Sequence, residues 1–192
     1  MWNRISRDNA VTPAVSLTEV KRHVRVDSTD EDLLLGRLSA AATLQIETRT
    51  GTTFTDTAFT MRLHSFPVRT AGLVHLMWKP VVSIDSVQYV DEAGVTQTVS
   101  SSNYEVDSMS GLLRPKEDQE WPDTDEVLNA VTIKYTAGRT GSMDDLKSAV
   151  LLLIGSLYRY RESHGEPPNG YIEMPVGVEM LIAPYVKGRF GA

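Results

Sequence analysis

The sequence predicts an α+β fold: a bundle of about four helices interrupted by an inserted antiparallel β-domain, either a sandwich or a small barrel. Three observations carry this. Apolar residues recur at helical spacing up to about residue 50, change to a period of two from Phe54, and return to helical spacing at Ser142. The stretch Ser142 to His164 is apolar most of the way round, so other elements must cover most of its sides. Between the two helical regions lie short alternating runs separated by turn residues, as in antiparallel sheets. The expected divisions are a flexible N-terminal arm at 1–15, a helical bundle from 16–53 and 142–165, a β-domain at 54–141, and a C-terminal docking arm at 166–192.

Residues 1–15 are polar and contain Pro13, hence the expectation of a poorly ordered arm. Ser16 and Glu19 form a capping box for a first helix, with Leu17, Val20 and Val24 as its apolar stripe. Asp27 to Asp32 reads as a turn and a second helix start, with Ser28 and Glu31 as another box. That helix runs to about Thr48 and stops near Gly51. Its expected stripe is Leu34, Leu38, Ala41 and Gln45, flanked by small residues that let a neighbouring helix approach closely.

Phe59, Met61 and Leu63 alternate with Thr60, Arg62 and His64 and begin the strands. Runs at 73–76, 84–90, 96–99, 104–106 and 131–136 follow. Asp91 to Gly94 and Asp107 to Gly111 read as hairpin loops. The long helix then starts at Ser142, with Asp145 completing a box and Asp144 at the positive end of its dipole. Leu146, Ala149, Val150, Leu153, Leu157 and Tyr160 share one face, and at about 1.5 Å per residue the helix serves as a central post. Gly165, Pro167 and Pro168 end it. A short helix is expected over Val176 to Ile182.

Composition narrows the function. The formal charge of −6 argues against a sequence-independent nucleic-acid binder, which needs a basic surface to displace counterions. With no cysteine there is no disulfide, thiolate metal site or cysteine nucleophile. The N-terminus carries no apolar run resembling a signal peptide, and no run is long enough for a membrane span, so a cytosolic chain is expected. Residues 52–141 hold twelve acidic and seven basic residues, and the acids concentrate at Glu117, Asp118, Glu120, Asp123, Asp125 and Glu126.

No stretch reads as an active site. Tyr135 to Ser142 passes from strand through glycines to a helix start, but lacks a P-loop ending, and Asp144 and Asp145 occupy the place of phosphate oxygens. His23, His64, His75 and His164 are scattered, with no pair at i, i+4. The acidic run lacks the oxygen periodicity and glycine of a calcium loop. There is no Gly-x-Ser-x-Gly elbow. Trp78 and Trp121 could stack on a sugar or base, although core packing accounts for both. The expectation is therefore no catalytic, cofactor-binding or metal residue, and no cofactor.

In order along the chain stand Leu17-Thr18-Glu19-Val20-Lys21, Arg25-Val26-Asp27 and the Ala-rich second helix. Lys79-Pro80-Val81-Val82-Ser83-Ile84, Asn103-Tyr104-Glu105-Val106-Asp107, Gly111-Leu112-Leu113, Trp121-Pro122 and Val131 to Gly138 come next. Leu157-Tyr158, Tyr160-Arg161-Glu162, and Pro175 with Gly177-Val178, Leu181-Ile182 and Pro184-Tyr185 complete the series. This succession resembles the head–tail connector (adaptor, head-completion) family of long-tailed double-stranded DNA phages and gene transfer agents, over about residues 16–185. The resemblance implies a non-enzymatic virion protein at the head–tail interface, present in the host cytoplasm before assembly. It implies a dodecameric ring of copies under the portal vertex, joining capsid to tail around a DNA channel without specific DNA binding. Its partners would be the portal protein and a stopper or tail-completion protein, with no membrane. Portal docking would then fall to Val176, Val178, Leu181, Ile182, Tyr185, Lys187, Arg189 and Phe190, on an arm not needed for folding. Glu117, Asp118, Glu120, Asp123 and Asp125 would face the channel or a neighbouring subunit. Two other readings compete: a DNA-packaging factor using Lys21, Arg22 and Arg25, and a phage-borne carbohydrate-binding or hydrolase β-module built around Trp78 or Trp121.

Overall fold

A computed structural model describes residues 4–67, 72–139, 143–160 and 174–186. They form two units, one of residues 1–10 with 55–139, the other of 11–54 with 140–192.

The first unit is built of strands β1 (Arg4–Arg7), β2 (Thr57–Leu63), β3 (Val74–His75), β4 (Val81–Val90), β5 (Thr96–Thr98), β6 (Tyr104–Asp107), β7 (Leu112–Pro115) and β8 (Val131–Ala137). One antiparallel sheet has the order β1-β2-β8-β4-β5, the other β3-β7-β6. Alternation decides which residues point inward: Phe59, Met61 and Leu63 on β2 and Val131, Ile133 and Tyr135 on β8 are all buried. They share one core with Val74, Tyr104 and Leu113 of the smaller sheet, so the sheets stack as a sandwich and do not close into a barrel. Both expected hairpin loops are present and built alike. The Asp91 carboxylate accepts the Ala93 and Val95 N–H groups, and the Asp107 carboxylate accepts those of Met109 and Ser110. Each loop ends on a glycine with positive φ, Gly94 at 76° and Gly111 at 69°.

Two features differ from expectation. Arg4–Arg7, expected within a flexible arm, is an edge strand that pairs with β2, Ile5 opposite Met61. Asp8 secures it by accepting the Thr60 hydroxyl at 2.8 Å and donating its N–H to the Ala58 carbonyl at 3.0 Å. Leu112–Pro115 is a further strand, between β3 and β6.

The second unit contains α1 (Leu17–Val24), α2 (Asp32–Thr50), α3 (Asp144–Arg159) and α4 (Val176–Ile182). Its core joins Val20, Leu35, Ala42 and Ile46 to Leu146, Ala149, Val150, Leu153 and Ile154, with Val178 and Ile182. The first capping box forms as read: Glu19 N–H donates to Ser16 Oγ at 3.3 Å, and Ser16 N–H to Glu19 Oε2 at 2.7 Å. These bonds, the Ser16 side chain's above all, hold the Glu19 carboxyl below its ordinary range. The second box does not form, since Glu31 itself is the N-cap and its carboxylate accepts the Tyr158 hydroxyl. Nor is there a side-chain cap on α3, whose N-cap is Met143; Ser142 and His164 lie outside the described residues.

The buried stripe of α2 also differs. Leu35, Ser39, Ala42, Thr43, Ile46, Glu47 and Thr50 face inward, while Ala41 and Gln45 are exposed and Leu34 and Leu38 half-buried. Polar groups on that face find partners that an apolar pattern cannot signal. Thr43 Oγ1 accepts the Ala14 N–H at 3.1 Å, and Glu47 Oε1 accepts the Phe54 N–H at 2.9 Å. Gly51, with φ 65°, ends the helix by donating its N–H to the Glu47 carbonyl.

Candidate docking surfaces

The eight residues expected to dock on a partner do not share one situation. Val176 is 72% exposed on the outer side of α4, whereas Val178 and Ile182 are buried against the helical core. Leu181 and Tyr185 are half-buried, and the Tyr185 hydroxyl donates to the Asp145 carboxylate on α3. Lys187, Arg189 and Phe190 lie outside the described residues. An Arg49–Glu179 ion pair at 3.8 Å adds a contact from α4 to α2, weak because both side chains are exposed. α4 thus packs as part of the helical core, whereas the arm was expected to stand apart from it. Removing Val178 and Ile182 would expose core area worth about 1.5–3 kcal/mol for each side chain.

Apart from Glu179, what α4 leaves outward is apolar. Met180, one turn after Val176, is 73% exposed, and Leu152 of α3 is half-exposed with its Cδ1 beside Gly177. Sequence periodicity had no means to separate Met180 from its buried neighbours, because all of α4 except Gly177 and Glu179 is apolar.

The acidic run occupies the connection from β7 to β8. Glu117, Asp118, Glu120 and Asp123 are exposed; Asp125 is half-buried, with its N–H donated to the Val90 carbonyl at 3.0 Å. Among the described residues no three or more acids or histidines converge to hold a metal ion.

Both tryptophans are engaged in packing. Trp78 stacks on Phe59 at 4.9 Å, and its backbone N–H donates to the Tyr135 hydroxyl at 3.3 Å. Burial pushes the Tyr135 phenol up to about 12. Trp121 stacks on Phe66 at 4.5 Å and 5° and donates Nε1–H to the Gly72 carbonyl at 2.6 Å. A groove of about 570 Å³ opens beside this pair, between Pro67, Pro115 and Pro122, with Glu92, Glu120 and Asp123 on its rim.

The basic cluster of the packaging-factor reading is smaller than its sequence. Lys21 is tied to Asp32 at 2.7 Å, leaving Arg22 and Arg25 exposed. Gly138, in the turn weighed as a phosphate loop, is needed for packing: a Cβ there would lie 2.9 Å from Asp56 Cα. Among the described residues no helix is long and apolar enough to cross a membrane.

The described surfaces present an apolar patch on α4 and exposed acids on the connection from β7 to β8. Comparison with known proteins shows what the chain is similar to. Residues 14–75 match the model of the Phage gp6-like head-tail connector protein family. A solved chain in the virion of a native gene transfer agent particle superposes with TM-score 0.73 at 26% identity, covering 96% of each chain. Chains in the neck of an empty gene transfer agent particle with C6 symmetry and of a native particle with C12 symmetry give TM-scores of 0.74 and 0.72, each at 26% identity and covering 97% of this chain and 96% of that chain. No curated protein matches significantly. The resemblance drawn from the sequence holds: the chain is similar to this connector family over residues 14–75 and to neck components of gene transfer agent particles over nearly its whole length.

Proposed function

We propose that this chain acts as a ring of copies, twelve in number, in the neck of a phage or gene transfer agent particle, joining the capsid's portal to the tail without catalysing a reaction. The observation that carries this is likeness over nearly the whole chain to neck components solved with C6 and C12 symmetry. DNA would pass through the ring unbound. An acidic wall repels phosphates, and the exposed acids of 117–123 suit that place or a contact between copies. Portal docking falls to the outward side of α4, Val176 and Met180, continued by Tyr185, Lys187, Arg189 and Phe190. Val178, Leu181 and Ile182 support that face from beneath, which explains why apolar residues run all round so short a helix. A stopper or tail-completion protein would meet another face of the ring.

The test substitutes Val176→Glu and Met180→Glu together, because both side chains are exposed and the fold should survive. Mass photometry with the portal of the same particle should show loss of the joint complex at unchanged melting temperature. Docking at wild-type affinity would assign the anchor to another surface.

A further inference from the structure

We propose that the groove beside Trp121 is a socket for the arginine-bearing end of α1 of an adjacent copy. This rests on the ring reading above. A closed ring needs two different, complementary patches on each subunit, one meeting the other around the circle.

The socket is built before any partner arrives. Phe66 and Trp121 lie in a parallel stack, and the Trp121 Nε1–H bond to Gly72 fixes the indole. Gly72 has φ +72°, and a Cβ there would come within 2.9 Å of Pro115, so glycine alone permits this wall. Glu92, Glu120 and Asp123 line the rim, and none of the groove's described lining residues is Lys or Arg. An aromatic and proline floor under carboxylates suits a guanidinium, whose flat face stacks while its N–H groups pair with carboxylate oxygens.

On the other side, Arg22 and Arg25 stand one turn apart at the end of α1. Both are exposed, and neither forms an ion pair among the described residues. Their backbone is fixed: Arg25 takes the left-handed cap conformation, φ 59°, and donates its N–H to the Lys21 carbonyl. Lys21 is already held by Asp32, which leaves the two arginines as the cationic end of the helix. A contact of this kind sets register and encounter rate more than total affinity, and it weakens with salt.

Charge exchange tests it. One full-length variant carries Glu92→Lys, Glu120→Lys and Asp123→Lys; the other carries Arg22→Glu and Arg25→Glu. Circular dichroism and melting of each should match the wild type, since all five positions are exposed. If one variant misfolds, the neutral set Glu92→Gln, Glu120→Gln and Asp123→Asn or Arg22→Gln and Arg25→Gln replaces it. Assembly is read by mass photometry at low salt, with the other neck proteins co-expressed. Each charge-reversed variant alone should lose ring yield at least tenfold. Mixed one to one they should form rings again, because alternating subunits pair every socket with an end of opposite charge. Rings from either variant alone at wild-type yield overturn the inference. Failure of the mixture also overturns it. Failure of the wild type to enter any ring strikes the connector reading itself.

Discussion

The two units differ in what fills their cores, and the difference governs how each responds to change. Apart from Thr57 and Thr60, which bond Arg7 and Asp8 at the sheet's edge, the β-unit is apolar and aromatic inside. Phe59 stacks between Trp78 and Tyr135, and Phe66 on Trp121, while strands supply the backbone pairing. The helical unit buries polar side chains of α2 among its aliphatic residues: Ser39, Thr43, Glu47 and Thr50. Thr43, Glu47 and Thr50 each rely on a particular partner, while Ser39 Oγ is buried with none among the described residues, so that unit is specified by individual bonds as well as by shape.

The largest effect tests the apolar side of the helical unit. Leu153 is buried on α3, and Leu153→Asp places a carboxylate there with no partner provided. A cost of about 4 kcal/mol or more follows, a large part of a typical 5–15 kcal/mol stability. Thermal melting should show the helical signal lost well below the wild-type midpoint. An unchanged midpoint would mean that this face of α3 is not core.

Next comes the polar side of the same unit. Glu47 is buried, and its carboxylate receives the Phe54 N–H where the chain leaves α2. Glu47→Ala removes that acceptor and leaves a buried donor, a loss of about 2–3 kcal/mol. Urea denaturation should show the midpoint shift. A cost below about 0.5 kcal/mol would make α2's polar face incidental, and the contrast between the units would fail.

How far the sequence revealed each unit follows from the same contrast. Period-two alternation marked β2 and β8, whose inward Phe59, Met61, Leu63, Val131, Ile133 and Tyr135 are apolar. β1 escaped because Arg-Ile-Ser-Arg offers a single apolar residue, and its pairing to β2 depends on a distant strand and on Asp8. Leu112–Pro115 was too short to show alternation. On α2 the expected stripe was wrong: Ala41 and Gln45 are exposed and Leu34 and Leu38 half-buried, while Thr43 and Glu47 are buried. The buried faces of α3 were legible at Leu146, Ala149, Val150 and Leu153, but Tyr160 is exposed beyond the helix end. Of the docking surfaces, the C-terminal segment and the acidic run were visible as compositions. Which of their side chains face outward was not, since burial is decided by contacts from α2 and α3 for α4 and by the backbone bond to Val90 of β4 for Asp125. The groove was invisible, because it joins residues near 66, 92 and 121.

A smaller effect tests the aromatic core. The Tyr135 phenol, pushed up to about 12 by burial, ionises in the unfolded chain near 10. Its folded value is raised, so the folded chain keeps its proton while the unfolded chain loses it. Stability from this group is complete below pH 10 and declines as pH rises to 12, by up to about 3 kcal/mol. Tyr135→Phe should cost about 1 kcal/mol at neutral pH, through the lost Trp78 N–H acceptor, and flatten the alkaline decline. Melting curves from pH 8 to 12 read both. An equally steep decline in the variant would place the alkaline weakness in another group.

The smallest expected effect belongs to the acidic run. Glu117, Asp118, Glu120 and Asp123 are exposed on an irregular connection, and among the described residues none is an ion-pair partner of Lys or Arg. Surface charges in such settings contribute within about 0.5 kcal/mol, and relief of mutual repulsion works against any loss. Asp125 is different in degree, since its backbone is bound to Val90 while its carboxylate lies at a half-buried position. Changing Glu117, Glu120, Asp118, Asp123 and Asp125 to their amides should therefore leave melting within about 2–4 °C of the wild type. Ring assembly at low salt should fall, because Glu120 and Asp123 belong to the socket, while Glu117→Gln with Asp118→Asn alone should leave assembly unchanged. A large fall in melting temperature for the five-fold variant would make the run a structural element of the β-unit. The connection from β7 to β8 would then owe its form to those carboxylates, and the β-unit would depend on polar side chains as the helical unit does.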